Sequence, residues 1–213
     1  MLARRDLVLY NSALERSEKH DGRAASLGEP ALLSREAEGE VWVTTPLTSL
    51  LDEALEAWAF AREGVIDELK NIPEKDLAFA PNEKSRSVIE LAQHVIESGM
   101  MMSGELSRAD GDFQRKSYEG FLHEYAKGVG GSRTKAQLLA LLRKSHEDGV
   151  KRIRHAGELL MLQFINRFDG QKGSRLAWLN HAIGHEEYHR GQLALYARLL
   201  GRVPALTKRI HGS

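Results

Sequence analysis

The spacing of the apolar residues is the feature that most constrains this chain. From Pro46 onward they recur every third or fourth residue, which is the period of an amphipathic helix rather than of a strand. The first such stretch contains Leu47, Leu50, Leu51, Ala54, Leu55, Trp58, Ala61, Val65 and Leu69. A proline suits the first helical position because its missing N–H would have no partner there. The pattern predicts a helix from Pro46 to about Lys70.

Three further stretches have the same period. The second helix is predicted to start at Ser85 or Ser87, either of which can cap it, and to end near Leu106. Glu90 stands three residues after Ser87, which is the spacing of a capping box.

The last two helices are predicted nearer the C-terminus. One runs from Thr134 to Ile165, with Gly157 permitting a bend, and the other runs from about Ser174 to Leu200. Four amphipathic helices without credible strand alternation predict an all-α four-helix bundle. The long connection between the second and third helices, residues 108–132, predicts one crossing that is not a hairpin. Its glycine-rich stretch, residues 128–131, lacks the strand and the Lys-Ser/Thr of a phosphate-binding loop and predicts a turn.

Residues 1–45 differ in composition from the rest of the chain. They are charged and interrupted by glycines, and they are predicted to form an N-terminal extension to a domain at residues 46–213. Such an extension is either a loosely held arm or a segment that reaches a neighbouring subunit.

Charge and cysteine content exclude several classes of function. The 30 Lys and Arg residues balance the 30 Asp and Glu residues, whereas a nucleic-acid-binding protein usually has a basic excess. The chain has no cysteine, which excludes disulfides, thiolate ligands and a cysteine nucleophile and fits a reducing cytoplasm. No apolar run is long enough for a signal sequence or a membrane span. The expectation is a cytoplasmic protein with neither a nucleic-acid nor a membrane partner.

Three histidines in the fourth helix are spaced four residues apart: His181, His185 and His189. Such positions lie one turn apart on one face of a helix, where two imidazoles can bind the same metal ion. His94 lies among apolar residues of the second helix and is a candidate third ligand. Its alternative is a packed core imidazole, which is the more usual role of a lone histidine there.

Several segments resemble a known family. Residues 85–98, residues 185–193 with the run His-Glu-Glu-Tyr-His-Arg-Gly-Gln-Leu, and residues 198–204 resemble the DinB-like, or YfiT-like, superfamily of metal-binding helical bundles. The resemblance covers about residues 47–205. It implies an up-down-down-up bundle, a homodimer and a divalent ion, zinc or nickel.

The metal triad implied by the resemblance is His94, His185 and His189, at the edge of the bundle core. His181 falls outside this triad. It could pack against the bundle, lie at the surface, support a ligand or serve as an alternative ligand. If the three imidazoles share one ion, their nearest ring nitrogens should lie about 3–4 Å apart.

Three neutral imidazoles leave a divalent ion its full charge and an open position, as in catalytic zinc sites. Some relatives in the resembling family transfer small thiols such as mycothiol or bacillithiol. The first hypothesis is therefore a metal-dependent thiol S-transferase. A metal-dependent hydrolase and a non-enzymatic metal-binding stress-response protein are the alternatives, and no general acid or base can be singled out.

Residues near the predicted ligands have two interpretations each. Glu90 and Glu97 could orient the His94 imidazole or be solvated surface charges. Arg190 could bind an anionic substrate or form an ordinary ion pair. Gly191 in a helix predicts close packing of a neighbouring helix.

Overall fold

The computed structural model describes residues 49–212, which contain seven α-helices, two short 3-10 helices and one short hairpin. The α-helices and strands are α1 (Leu50–Asn71), α2 (Val88–Leu106), α3 (Tyr118–Tyr125), α4 (Lys135–Ala156), α5 (Glu158–Met161), β1 (Phe164–Asn166), β2 (Lys172–Ser174), α6 (Arg175–Leu199) and α7 (Ala205–His211). The predicted extension and its boundary at residue 46 lie outside the described residues. Within the described part, no helix combines the length and apolarity needed to cross a membrane.

The four long helices α1, α2, α4 and α6 form the bundle. Two apolar clusters occupy its ends: one includes Leu51, Leu106, Ile153 and Leu179, and the other includes Leu69, Leu91, Leu138 and Leu193. Helices α1 and α6 start in the first cluster and end in the second, whereas α2 and α4 run the opposite way. Each helix packs on one parallel and one antiparallel neighbour, with α1 beside α6 and α2 beside α4. The predicted all-α, up-down-down-up bundle is confirmed.

Local capping residues set most of the helix starts. Ser87 and Glu90 form the predicted capping box, in which the Glu90 carboxylate accepts from the Ser87 N–H and hydroxyl at 2.7 Å each. Helix α1 begins at Leu50 rather than at Pro46. Its cap is Ser49, whose hydroxyl accepts from the Asp52 N–H at 3.1 Å.

The segment after α4 differs from the prediction. Helix α4 has Thr134 as its cap, as predicted, but it ends at Gly157, which has a φ of 80° and cannot continue the helix. The single turn α5 and the antiparallel hairpin β1–β2 follow, with Ile165 opposite Gly173. The prediction that this helix reaches Ile165 is therefore wrong. Strands of three residues are too short to show an alternating pattern.

The connection between α2 and α4 contains helix α3, which the sequence did not predict. A buried carboxylate on α2, Glu105, holds this connection. It accepts from Arg115 at 2.8 and 2.5 Å, from the Asp112 N–H at 2.7 Å and from the Tyr125 hydroxyl at 2.7 Å. The glycine-rich stretch forms a tight turn at Val129–Gly131, as predicted.

Helix α7 is a second element that the sequence did not predict. Gly201 ends α6 with a φ of 72°, and Pro204 then precedes α7. The Glu68 carboxylate of α1 accepts from the N–H groups of Ala205 and Leu206 at 3.0 and 3.4 Å. A carboxylate at a helix N-terminus satisfies unpaired N–H groups and interacts favourably with the helix dipole.

An ion pair between Arg62 and Glu186 lies inside the bundle, where the two residues are 1% and 2% exposed. Arg62 donates from Nε and Nη2 to the Glu186 carboxylate at 2.8 and 2.5 Å, and Trp58 Nε1 donates to it at 2.8 Å. Arg62 Nη1 donates to the Leu142 carbonyl at 2.7 Å and to the Ser145 hydroxyl at 2.9 Å. The pair therefore joins α1, α4 and α6.

Two glycines allow the remaining close approaches around this pair. A Cβ at Gly99 of α2 would lie 2.6 Å from Nη2 of Arg62 and 3.3 Å from the Glu186 carboxylate. A Cβ at Gly149 of α4 would lie 2.5 Å from the Trp58 ring. All four bundle helices thus meet at the ion pair.

Replacing Glu186 with alanine is expected to destabilise the protein by roughly 3–5 kcal/mol, because Arg62 would remain buried without its counter-charge. Urea unfolding of purified protein measures this change. The control is Glu187→Ala, which removes a partly exposed carboxylate paired with Arg190 and should cost about 1 kcal/mol or less. Equal losses in the two variants would contradict a central role for the ion pair.

Candidate metal centre

Three imidazoles meet between α2 and α6. His94 projects from the middle of α2, and His185 and His189 project from successive turns of α6. The Nε2 atom of His185 lies 3.2 Å from Nε2 of His94 and 3.0 Å from Nε2 of His189. One ligand atom from each of the three histidines lies within 4.8 Å of the others.

These separations fit a shared metal ion. Two nitrogens bound to one ion at ~2.1 Å with a near-tetrahedral angle stand roughly 3.4 Å apart. The observed Nε2 separations of 3.2 and 3.0 Å require only small side-chain movements to reach that geometry. The triad could therefore hold a divalent ion.

A hydrogen bond sets the tautomer of His189. Its Nδ1 lies 2.6 Å from the amide oxygen of Gln192, and an amide oxygen only accepts, so Nδ1 carries the proton. The Gln192 Nε2 group donates to the Tyr188 hydroxyl at 3.3 Å, which orients the amide. In a neutral ring Nε2 of His189 then presents its lone pair toward the other two histidines, as a metal ligand must.

Burial keeps the triad neutral. Desolvation, with a smaller contribution from the positive charge of Arg86, lowers the pKa of His94 to about 3. Desolvation and the neighbouring His189 lower the pKa of His185 to about 4, and burial also lowers the pKa of His189. Near neutral pH all three rings are unprotonated, so a metal ion would not compete with protons for them.

Helix α3 contributes Tyr118, which sequence reasoning missed. Its hydroxyl lies 3.5 Å from Nδ1 of His94, on the side of the ring away from the triad centre. Burial raises the pKa of this hydroxyl. Tyr118 lies in a connection without helical periodicity, so no sequence signal pointed to it.

A cleft of about 240 Å³ opens beside His94. It is lined by Arg86, Glu90, Gln93, His94, Glu97, Tyr118 and Leu122. A narrow cavity of about 10 Å³ lies on another side of His185, between Trp58 and Glu186. Of these two spaces, only the larger could hold a small molecule, and His94 is the member of the triad that lines it.

Other candidates from the sequence have different roles. His181 is exposed, lies outside the triad and stacks on Trp178 with ring centroids 4.4 Å apart. Glu90 caps α2 and is not available to orient His94. Glu97 lines the cleft.

Arg190 forms an ion pair with Glu187 at 3.0 Å and covers the Phe60 ring at 5.0 Å, so the ion-pair interpretation holds. Gly191 is exposed and has no close neighbour, so the close packing predicted there is wrong. The close approach occurs instead at Gly64, where a Cβ would overlap the Arg190 side chain.

Comparisons with known proteins bear on this architecture. The sequence model of the DinB family matches residues 45–211. A DinB-like protein, YjoA, from Bacillus subtilis has a similar crystal structure, with a TM-score of 0.54 and 22% sequence identity over 71% of this chain and 93% of that chain. At this identity the likeness concerns the fold. No curated protein matches the chain.

Without metal, the stability of the protein is expected to fall as the pH drops below about 6.5. The folded-state pKa values of His94 and His185 are about 3 and 4, so between those values and 6.5 only the unfolded chain binds these protons. Each such imidazole contributes a slope of about 1.4 kcal/mol per pH unit.

Urea unfolding of chelator-treated protein between pH 7 and 4.5 measures this slope. Replacing His94 with asparagine should reduce it, whereas the same change at the exposed His123 should not. A slope that is the same in all three proteins would show that the buried imidazoles do not cause it.

Proposed function

Since this chain belongs to the DinB family, we propose that His94, His185 and His189 hold a divalent ion, zinc or nickel, and that the loaded protein is a thiol S-transferase. The observation that carries the proposal is the convergence of three neutral imidazole nitrogens, 3.0 and 3.2 Å apart, beside an open cleft. A cytoplasmic location, with which the cysteine-free sequence agrees, is part of the proposal.

The donor set favours chemistry over a purely structural site. Structural zinc sites are usually closed by four protein ligands, whereas a three-histidine set leaves a position for a substrate. When bound, a divalent ion with neutral ligands lowers the pKa of a coordinated thiol or water. The chain itself has no cysteine, so the thiol must come from solution.

The residues of the chain then have separate tasks. The triad would hold the ion, Gln192 keeps His189 in the ligating tautomer, and Tyr118 lies against the outer side of His94. In the reaction the thiol loses its proton to solvent, the sulfur bonds to an electrophilic carbon, and the leaving group departs from that carbon with its electron pair.

One observation favours a metal-dependent hydrolase as the second candidate. Glu97 lies in the cleft one turn after His94, and burial raises the pKa of its carboxyl. A carboxylate with a raised pKa is suited to accept a proton from an attacking water.

A homodimer is also part of the proposal. Tyr188, Leu195 and Leu199 are exposed apolar residues on α6, and their spacing of seven and four residues places them on one face of the helix. Within residues 49–212 nothing covers this apolar stripe, and such a stripe is typical of a surface that another subunit covers.

Replacing His189 with alanine is expected to remove most bound metal, because two imidazoles hold an ion far more weakly than three. Elemental analysis after dialysis against limiting zinc or nickel measures the occupancy. His181→Ala is the matched control on the same helix and should keep full occupancy. Equal losses would assign the metal to a different pair of histidines.

The metal-loaded protein is expected to accelerate the displacement of chloride from 1-chloro-2,4-dinitrobenzene by a small thiol, and His185→Ala should abolish the effect. The acceleration should persist below the pKa of a free thiol, about 8.5, because coordination favours the thiolate. Absorbance of the thioether product measures the rate. Metal-dependent hydrolysis of esters without thiol turnover would favour the hydrolase, and no response in either assay would favour a metal-binding protein.

A further inference from the structure

Two charged side chains in the cleft make no hydrogen bond or ion pair with the described part of the chain. Among residues 49–212, neither the Arg86 guanidinium nor the Glu97 carboxylate has a hydrogen-bond or ion-pair partner. The other polar residues of the cleft wall are occupied, since Glu90 caps α2 and Gln93 donates to the Ser132 carbonyl at 2.8 Å. The cleft therefore offers one free cation and one free anion within the described part of the chain.

Both charges lie on the wall of the cleft that His94 also lines. Glu97 follows His94 by three residues, so it lies on the same side of the helix, about 4.5 Å further along the axis. Arg86 lies just before α2, two residues ahead of Val88. Its backbone is held by the Tyr196 hydroxyl, which donates to the Arg86 carbonyl at 3.0 Å. The positive charge of Arg86 acts on the three imidazoles and on Glu97.

A solvated arginine needs no ligand, but Glu97 is different. Its side chain is partly buried, and burial raises the pKa of its carboxyl. The positive charge of Arg86 lowers this pKa by less than burial raises it, so the carboxylate is still in an unfavourable environment. An ammonium group bound in the cleft would give the Glu97 carboxylate a favourable interaction in place of the water contacts that burial removed.

We propose that the cleft binds a zwitterionic small molecule, with an amine on Glu97 and a carboxylate on Arg86. Its reacting group lies at His94, the member of the triad that lines the cleft. The identification of the reacting group as a thiol rests on the proposed function, whereas the recognition of the two charges does not.

Four matched thiols test this charge pattern: cysteinylglycine, its N-acetyl derivative, its C-terminal amide, and the derivative with both changes. Binding to cobalt-loaded protein is measured by the sulfur-to-cobalt charge-transfer absorption. We expect cysteinylglycine to bind most tightly, with about tenfold lost for each blocked charge, since each removes a charge-assisted hydrogen bond. Arg86→Gln should weaken only the two thiols with a free carboxylate, and Glu97→Gln only the two with a free amine.

Lys84→Gln and Glu83→Gln are the controls, because both residues are exposed in the loop before α2 and neither lines the cleft. They should leave all four affinities unchanged. Equal affinities of the four thiols would overturn the charge recognition and leave the thiol function standing. If no thiol reaches the cobalt, the thiol function fails, and calorimetry with serylglycine and its blocked forms decides the inference. The same dependence on Arg86 and Glu97 would support it, and no dependence would overturn it.

Discussion

The buried ion pair between Arg62 and Glu186 is the interaction on which the rest of the structure depends. The Arg62 donors all find acceptors only when α1, α4 and α6 have one particular axial position and rotation relative to one another. Glu186 directly follows His185, so the rotation that buries the carboxylate also directs His185 and His189 toward α2. Apolar residues of similar volume often stabilise a core as well as a buried ion pair does. We infer that the pair contributes register: it fixes the arrangement in which the imidazoles meet.

The topology of the bundle explains why the connection between α2 and α4 contributes to the site. Helices α2 and α4 are parallel neighbours, so the chain must return along the length of the bundle before α4 can begin. The return is anchored by Glu105 through Arg115 and Tyr125. Helix α3 lies within it and brings Tyr118 to the outer side of His94. A bundle of simple hairpins would leave that side of His94 without a neighbour from this connection.

The sequence predicted those features whose causes are local. Ser87 and Thr134 cap α2 and α4 within their own first turns, so their starts were correct. Helix α7 was missed because its cap, Glu68, is 137 residues away from Ala205. Arg62 and Glu186 could not be distinguished from surface charges, since only the folded bundle brings these residues, 124 positions apart, together.

The predictions for the candidate site also separate into those with local causes and those that depend on the folded structure. Helical spacing placed His181, His185 and His189 on one face of the fourth helix, but the family resemblance was needed to leave out His181 and to include His94. Tyr118 and the function of Gln192 depend on contacts in three dimensions. Gly191 shows the opposite error: a helical glycine suggested close packing, but the contact lies at Gly64 on the helix opposite.

The up-down-down-up order also has a consequence for how fast the chain folds. The most extensive interface joins α1 to α6, the first and last of the four long helices, and His94 and His185 are 91 residues apart. Long helices that follow one another in the sequence do not pack side by side as an antiparallel hairpin, so no such hairpin can form early and support the packing of the others. Loop closure must therefore precede most of the favourable contacts, which places this protein toward the slow end of helical folders. The histidine triad can assemble only after both halves of the chain have docked.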